Sequence, residues 1–358
     1  MTSIASKLIE RFDSKKVFKF SDVDPFSEES AWVSTSSPSL DRFLKTHGIP
    51  TGIVEVRGDS QAGKTTFTLM VMKSCLEEYG DRAVINILSS ERRDNKPYAE
   101  KLGIDTSMIP IIRVVTIEDV FNKINQTITY VNEMISKGDV ELNGKPRFLF
   151  VWDSLGQTIG AQEKTAMAKR ATVEEGAEGA DKQAAMGAAA RALSIGLRNV
   201  VGLSDDYDVT LMIINRAYDN IGSVGKSSYG GQAITFYPNM RIELARIKPV
   251  MVGEEEWGQI TQVKTIKTDY DRPKQKFNIE IGYGLGYIIT DEDLKLGFEA
   301  GILEKCGQNG AKFMKGKLQW KTRRELYSLY EEQNPLLKLL IKKLTKLSHE
   351  KVLEEKQK

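Results

Sequence analysis

Short apolar runs alternate with amphipathic segments from about residue 31 to about residue 289. The runs have the length of buried strands, and the segments between them repeat apolar residues at helical spacing. This alternation predicts an α/β fold with a twisted, mostly parallel sheet covered by helices on both faces. The expected strands are 53–57, 83–88, 110–115, 147–152 and 209–214, and three more runs, 241–247, 259–268 and 276–281, suggest an antiparallel extension.

Two segments interrupt the alternation. Residues 157–183 are rich in Ala, Gly and charge and lack an apolar period, and residues 217–231 are polar and rich in Gly. Both are predicted to be loops. Long loops inside a compact core are usually either functional or disordered.

The two ends of the chain differ from this core. Residues 1–30 form a short arm in which 2–13 suit an amphipathic helix and 16–20 alternate like a strand. An arm too short to bury its own apolar face must dock elsewhere, on the same molecule or, as we expect, on a neighbouring subunit.

Residues 290–358 predict a small, separate C-terminal α+β domain. Helical patterns cover 290–306, follow a capping box at Thr322 and Glu325, and begin again at Asn334 and Pro335. The last helix carries Lys338, Lys342 and Lys346 on one face, which is either a simply solvated face or a basic binding surface.

Composition narrows the class of protein. The 358 residues are 41% hydrophobic and 28% charged, with a net charge of +2, so a polyanionic partner must meet a local basic surface. Cys75 and Cys306 lack metal-ligand spacing and favour buried thiols in a reducing compartment. Two histidines argue against a histidine metal site, and the sequence lacks a run of 18 apolar residues, so we expect a cytoplasmic protein.

The most specific motif is a phosphate-binding loop, G-x-x-x-x-G-K-[ST], between an expected strand and an expected helix. Backbone N–H groups of such a loop point at phosphate oxygens, its lysine meets the β- and γ-phosphates, and its hydroxyl ligates Mg²⁺. The sequence therefore predicts ATP and Mg²⁺ at the residues of this loop, which are Gly58, Asp59, Ser60, Gln61, Ala62, Gly63, Lys64, Thr65 and Thr66.

Acidic residues follow two of the expected strands. Asp153 ends the apolar run 148–152, as the Walker B aspartate does, and should hold Mg²⁺ together with Thr65. Glu91 lies just beyond the strand 83–88, where a carboxylate can face the γ-phosphate and activate water. From position alone, a solvated glutamate on a surface loop is the more common alternative.

Several stretches together resemble RecA-type recombinases. They are 33–41 and 48–56 before the phosphate loop, 90–91 with 96–105, Met186–Arg191, Ile214–Asn215, Tyr229–Ala233 and, near the end, 301–307. The resemblance runs from about residue 31 to about 348, and a bacteriophage (UvsX-like) member fits best. It implies a recombinase that polymerises on single-stranded DNA and exchanges it with a homologous duplex, hydrolysing ATP.

The resemblance also implies roles for particular residues. Glu91 becomes the water-activating carboxylate, Tyr98 stacks on adenine, and Asn95 occupies the place of an aspartate near the base. Residues 157–183 and 217–231 become DNA-binding loops, and the implied DNA contacts are Arg191, Ser194, Arg198, Lys226, Gly230, Gly231 and Gln232. The implied partners are single-stranded and duplex DNA, further copies of the chain in a helical filament, a loader or mediator protein and a single-strand-binding protein.

Some positions depart from the family pattern. Arg216 stands where the family has a glutamine that senses the γ-phosphate. Of two lysines that reach across the subunit interface, Lys267 is present and Asp269 replaces the other, with Arg272 nearby. Two alternatives stay open: a hexameric helicase or related ring ATPase of the same core fold, and a nucleotide-regulated DNA-binding scaffold in which Glu91 is idle.

Overall fold

A ten-stranded sheet organises the computed structural model, which describes residues 32–91, 95–170, 180–219, 226–307 and 310–356. The expected arm, 1–30, lies outside the described residues. The strands are β1 Gly52–Gly58, β2 Ala83–Ser89, β3 Ile111–Arg113, β4 Arg147–Asp153, β5 Asp208–Asp219, β6 Lys226–Ser228, β7 Met240–Val252, β8 Glu255–Thr268, β9 Lys276–Gly282 and β10 Gly286–Ile288.

The strand order is β10-β9-β8-β7-β1-β5-β4-β2-β3, and β6 pairs with β5 off this path. The pairs from β7 through β1, β5, β4 and β2 to β3 are parallel. The pairs β7–β8, β8–β9 and β9–β10 are antiparallel. The predicted parallel sheet with an antiparallel extension is therefore confirmed.

Helices cover both faces of the sheet, as the apolar pattern requires. One buried cluster joins the sheet to the helices α1 (Pro38–Phe43) and α2 (Lys64–Tyr79), and the other joins its opposite face to α4 (Ile117–Lys137) and α6 (Ala180–Asp206). The helices are α1 Pro38–Phe43, α2 Lys64–Tyr79, α3 Lys96–Lys101, α4 Ile117–Lys137, α5 Ala161–Arg170, α6 Ala180–Asp206, α7 Ala233–Phe236, α8 Asp291–Glu299, α9 Arg323–Glu331 and α10 Pro335–Lys356.

The prediction of a loop over 157–183 is wrong for much of that segment. Residues 161–170 form α5, and α6 already begins at Ala180. The alanine, glutamine, glutamate and lysine of α5 are strong helix formers, and Glu118 of α4 accepts a hydrogen bond from the Ala161 N–H at 3.0 Å. Residues 171–179 lie outside the described residues.

The segment 217–231 is partly a hairpin. Ala217, Tyr218 and Asp219 of β5 pair antiparallel with Ser228, Ser227 and Lys226 of β6. Residues 220–225, between the two strands, lie outside the described residues.

The C-terminal segment has its own three-stranded sheet, with β11 Leu303–Cys306, β12 Gly310–Phe313 and β13 Leu318–Trp320. The predicted helix over 290–306 is therefore wrong beyond residue 299, because 303–306 pair with β12. The last helix begins after Asn334, as predicted. Its Ser348 donates a hydrogen bond to the Pro38 carbonyl at 2.5 Å, so α10 packs on α1.

The N-terminus of α8 holds a buried carboxylate. Oδ2 of Asp293 accepts hydrogen bonds from the Thr290 N–H at 2.9 Å, the Thr290 hydroxyl and the Ser39 hydroxyl. Its Oδ1 is buried without a hydrogen-bond partner among the described residues. Burial raises the pKa of Asp293 to about 6 despite these hydrogen bonds.

Asp293→Asn should therefore flatten the pH dependence of stability. The folded chain holds the Asp293 proton more tightly than the unfolded chain, whose pKa is near 3.8, so this contribution is present below pH 4 and lost as the pH rises through 6. The loss is at most about 3 kcal/mol. Urea unfolding between pH 4 and 7 measures it.

The exposed Asp291 of the same helical turn provides the control, because Asp291→Asn should keep the wild-type slope. An Asp293→Asn slope equal to that of the wild type would show that Asp293 does not titrate in this window.

Candidate nucleotide site and nucleic-acid interface

Four neighbouring parallel strands end at one edge of the sheet, and three of the predicted catalytic residues, Lys64, Glu91 and Arg216, lie there. The register places Gly58 opposite Arg216 and Ser89 opposite Asp153. Ligands of open α/β sheets bind outside the carboxyl ends of the strands. Residues that are far apart in the sequence thus lie close together at this edge of the sheet.

The phosphate loop follows β1 and turns directly into α2. Gly63 has a φ of 96°, a left-handed conformation, and a Cβ built on it would lie 2.6 Å from the Ile281 side chain, so the site favours glycine. The Gln259 side chain of β8 donates to the Gln61 carbonyl at 3.1 Å and supports the loop from beneath.

Lys64 folds back over this loop. Its ammonium donates to the carbonyls of Gly58 and Asp59 at 2.7 and 2.6 Å. Burial and the nearby charge of Arg216 lower the pKa of Lys64. An anion beside Lys64 and Arg216 would relieve this repulsion, which is what a triphosphate supplies.

Asp153 and Thr65 line the same cavity, of about 250 Å³, as the Walker B interpretation requires. Burial, with the charge of Glu91 as the next cause, raises the pKa of Asp153 to about 6. A divalent cation would offset both effects, so the residues fit Mg²⁺. Among the described residues there is no cluster of three metal-ligating side chains, but Mg²⁺ beside a phosphate loop needs few protein ligands.

Glu91 is held beside Asp153 by the residues that follow β2 and β4. The Ser154 hydroxyl donates to Oε1 of Glu91 at 3.1 Å. The Ser90 hydroxyl accepts from the Ser154 N–H at 3.0 Å and donates to its carbonyl at 2.9 Å. These bonds fix where the Glu91 carboxylate can point.

Arg216 lies beside Glu91. Its Nη2 lies 3.8 Å from Oε1 of Glu91, in a pair whose side chains are 66% and 30% exposed. An ion pair this open contributes little to stability. A terminal phosphate can therefore compete for the arginine at small cost.

The two residues expected near the base lie in different cavities. Tyr98 shares a hydrogen bond of 2.7 Å with the Thr66 hydroxyl and lines a cavity of about 360 Å³ together with Lys64, Arg246 and Tyr283. Asn95 lines the cavity of Thr65 and Asp153.

The residues expected to bind DNA lie on α6 and after β6. Arg191 and Arg198 are exposed on one face of α6 and Ser194 is half-buried between them. Gly230 and Gly231 have φ values of 102° and 58°. A Cβ on Gly230 would come within 3.1 Å of Leu155 and Leu193, so close packing requires that glycine, while Gly231 and Gln232 are exposed. The Lys226 side chain lies outside the described part.

The two positions expected at the subunit interface lie near the end of α7. The Lys267 ammonium donates to the Phe236 carbonyl, the last residue of that helix, at 2.7 Å. Asp269 accepts from the Asn239 amide at 3.3 Å. Within the described part of the chain, the hydrogen bond of Lys267 is thus made to α7 and not to the phosphate loop.

Sequence reasoning missed several residues of the site. Ser154 directly follows the Walker B strand, and a polar residue at that strand end was an available signal. Arg246, Gln259 and Tyr283 come from β7, β8 and the turn after β9, which the motif could not connect to the loop.

The fold and the site define a P-loop nucleotide-binding protein of the α/β class. The family model "RecA N-terminal domain" matches residues 2–142 and 162–288, well over half of the chain. Protein RecA of Psychrobacter cryohalolentis is 30% identical over 77% of this chain and 71% of its own length. Protein RecA of Chlorobium chlorochromatii is 28% identical over 77% of this chain and 70% of its own length.

The chain therefore belongs to the RecA family and is a RecA-type, ATP-dependent recombinase. The helicase alternative is not favoured. Within the described residues, no helix has the length and apolar character needed to cross a membrane.

Two substitutions separate nucleotide binding from hydrolysis. Lys64→Ala should abolish ATP binding, because it removes the charge that meets the phosphates. Glu91→Gln should bind ATP normally, since Ser154 can still donate to the amide oxygen, but should slow hydrolysis by about 10²- to 10⁴-fold. Equilibrium binding of a fluorescent ATP analogue and phosphate release measure the two steps.

Glu100→Gln, a change in an exposed carboxylate of α3, is the matched control and should keep both properties. Wild-type turnover by Glu91→Gln would show that another group activates the water.

Proposed function

We propose that this chain forms helical filaments on single-stranded DNA, hydrolyses ATP to ADP and phosphate with Mg²⁺, and catalyses homologous pairing and strand exchange. The observation that carries the proposal is the meeting of Lys64, Asp153, Glu91 and Arg216 at one sheet edge, directly beside the hairpin β5–β6. The family assignment gives this site its expected chemistry.

The proposed roles at the nucleotide combine the observed contacts with the roles that the family assignment implies. Lys64 would bind the β- and γ-phosphates, Thr65 and Asp153 would hold Mg²⁺, and Tyr98 would stack on adenine in the cavity that it lines. Mg²⁺ supplies charge that neutralises the phosphates. Glu91 keeps Oε2 available to accept a proton from water while Ser154 holds Oε1.

Arg216 is the proposed link between nucleotide and DNA. With ATP it would pair with the terminal phosphate, which ADP lacks, and would leave Glu91 free to orient water. Because Arg216 lies in β5, which continues to the hairpin, the two nucleotides would favour different hairpin arrangements.

The proposed DNA surface combines α6 with the hairpin. Arg191, Ser194 and Arg198 would bind phosphates, and the open space beside the Gly231 α-carbon would let a phosphate approach the backbone there. Lys226 and Gln232 would add contacts at the hairpin. Lys338, Lys342 and Lys346, all exposed on α10, are the proposed contact with duplex DNA.

Assembly of the filament would involve groups that do not reach the nucleotide site of their own chain. We propose that Lys267 acts on the nucleotide of a neighbouring subunit and that the arm 1–30 docks on that neighbour. A bacteriophage (UvsX-like) origin, the host cytoplasm as location, and a loader and a single-strand-binding protein as partners belong to the same proposal.

Phosphate release with and without single-stranded DNA, combined with electron microscopy in a non-hydrolysable ATP analogue, tests this function. We expect DNA to stimulate turnover and the images to show open helical filaments. DNA affinity should fall with salt and depend little on sequence. Arg191/Arg198→Ala should lower the log–log salt slope by about 0.7 for each phosphate that the variant no longer neutralises.

Lys137, the exposed last residue of α4, provides a control, because Lys137→Ala removes a cation that does not belong to the proposed DNA surface and should keep the slope. Closed rings would instead favour the helicase class, and turnover without DNA binding would remove the recombinase function. An unchanged slope in Arg191/Arg198→Ala would exclude α6 from the DNA surface.

Arg216→Ala should reduce the difference in DNA affinity between the ATP analogue and ADP. A typical coupling between two sites amounts to about 5- to 150-fold in affinity, and the variant should lose most of it. Fluorescence anisotropy of labelled single-stranded DNA in each nucleotide measures both affinities. A variant that retains the full wild-type difference would show that Arg216 only pairs with Glu91.

A further inference from the structure

Buried charged side chains join the phosphate-loop strand to its two neighbours. Glu55 of β1 is fully buried, and its carboxylate accepts from Arg241 Nε of β7 at 2.6 Å and from the Asn215 amide of β5 at 2.9 Å. Arg57, two residues further along β1, pairs with Glu243 of β7 at 2.6 Å. We call these five residues the buried network.

The second strand of the hairpin is attached to this network through Ser228. Its hydroxyl, in a residue only 8% exposed, accepts from Arg57 Nη1 at 3.0 Å and from Arg241 Nη2 at 3.4 Å. The Asn215 amide also donates to the Tyr229 carbonyl at 2.8 Å. Side chains of β1, β5 and β7 thus converge on residues 228 and 229.

Each end of the buried network touches a part of the nucleotide site. Arg57 immediately precedes Gly58, the first residue of the phosphate loop. Asn215 immediately precedes Arg216, and its Oδ1 accepts from the Arg216 N–H at 2.9 Å. A shift of either element on nucleotide binding must therefore move residues bonded to Ser228 and Tyr229.

Buried charges resist gradual rearrangement. A guanidinium or carboxylate that loses its partner inside a protein is strongly destabilising, whereas a satisfied network keeps one geometry. The network is therefore expected to move as a unit.

We propose that Ser228 is a positioning residue, and that the two arginines bonded to it set the placement of Gly230 and Gly231 on DNA according to the nucleotide. The inference rests on the proposed function, because it takes ATP at the loop and DNA at the hairpin. It adds a second connection, through β1 and β7, to the one through Arg216. A purely structural role for Ser228 would alter stability and leave the response to nucleotide intact.

Ser228→Ala tests the inference. The substitution removes only the hydroxyl oxygen, and both arginines keep their carboxylate partners. The affinity for single-stranded DNA is measured with a non-hydrolysable ATP analogue and with ADP. We expect the ratio of these affinities to fall at least fivefold from its wild-type value, which is the lower end of typical coupling. Affinity for the ATP analogue in the absence of DNA should change less than twofold. Ser227→Ala, the same change one residue earlier in β6, is the matched control and should keep the ratio.

The outcomes distinguish a failure of this inference from a failure of the proposed function on which it rests. A wild-type protein that does not bind DNA in a nucleotide-dependent way overturns both. A nucleotide-dependent wild type with an unchanged ratio in Ser228→Ala overturns the inference alone.

Hydrogen exchange of the wild-type chain, without DNA, covers the case in which Ser228→Ala fails to fold. Adding the ATP analogue should change the exchange rates of amides in 226–231 at least fivefold relative to ADP. Equal rates in the two nucleotides would also overturn the inference.

Discussion

The alignment of β1, β5, β4 and β2 at one edge of the sheet is the constraint on which the site depends. Gly58 lies opposite Arg216, and Ser89 lies opposite Asp153. Because successive strand residues face opposite sides of a sheet, a shift of one residue in either pairing would turn Arg216 or Asp153 away. The phosphate loop, Asp153 and Glu91 therefore come together as one candidate site only in this register.

The interior of the sheet specifies that register. Glu55 carries a charge into a fully buried position, where it is stabilised by Arg241 and Asn215 from the strands on either side. Other registers would leave a buried charge without its partner, at a cost of several kcal/mol. Arg241 also donates to the Ser228 hydroxyl, so one of the residues that align the strands also holds the base of the hairpin.

Charges of both signs crowd the edge where the strands end. Arg216 lies close enough to Lys64 to lower the pKa of that ammonium, and Glu91 helps to raise the pKa of Asp153. Such crowding works against the stability of the isolated chain and favours binding of a triphosphate with a cation. Because the pair between Arg216 and Glu91 is long and exposed, a phosphate could replace Glu91 as the partner of Arg216.

Local patterns determined much of this protein before any tertiary contact was considered. The phosphate loop and the helix cap at Thr322 each consist of neighbouring residues, so local chemistry was sufficient to predict them, and Asp153 was marked by its strand. Only the tertiary structure decided that α5 is helical, capped by Glu118, that 303–306 pair as a strand, and that Arg216 meets Glu91. Ser228 was likewise invisible, because its partner Arg57 is 171 residues away. Such distant residues form hydrogen bonds and become buried only when the strands pair in the right register. The local spacing of apolar residues does not specify that register.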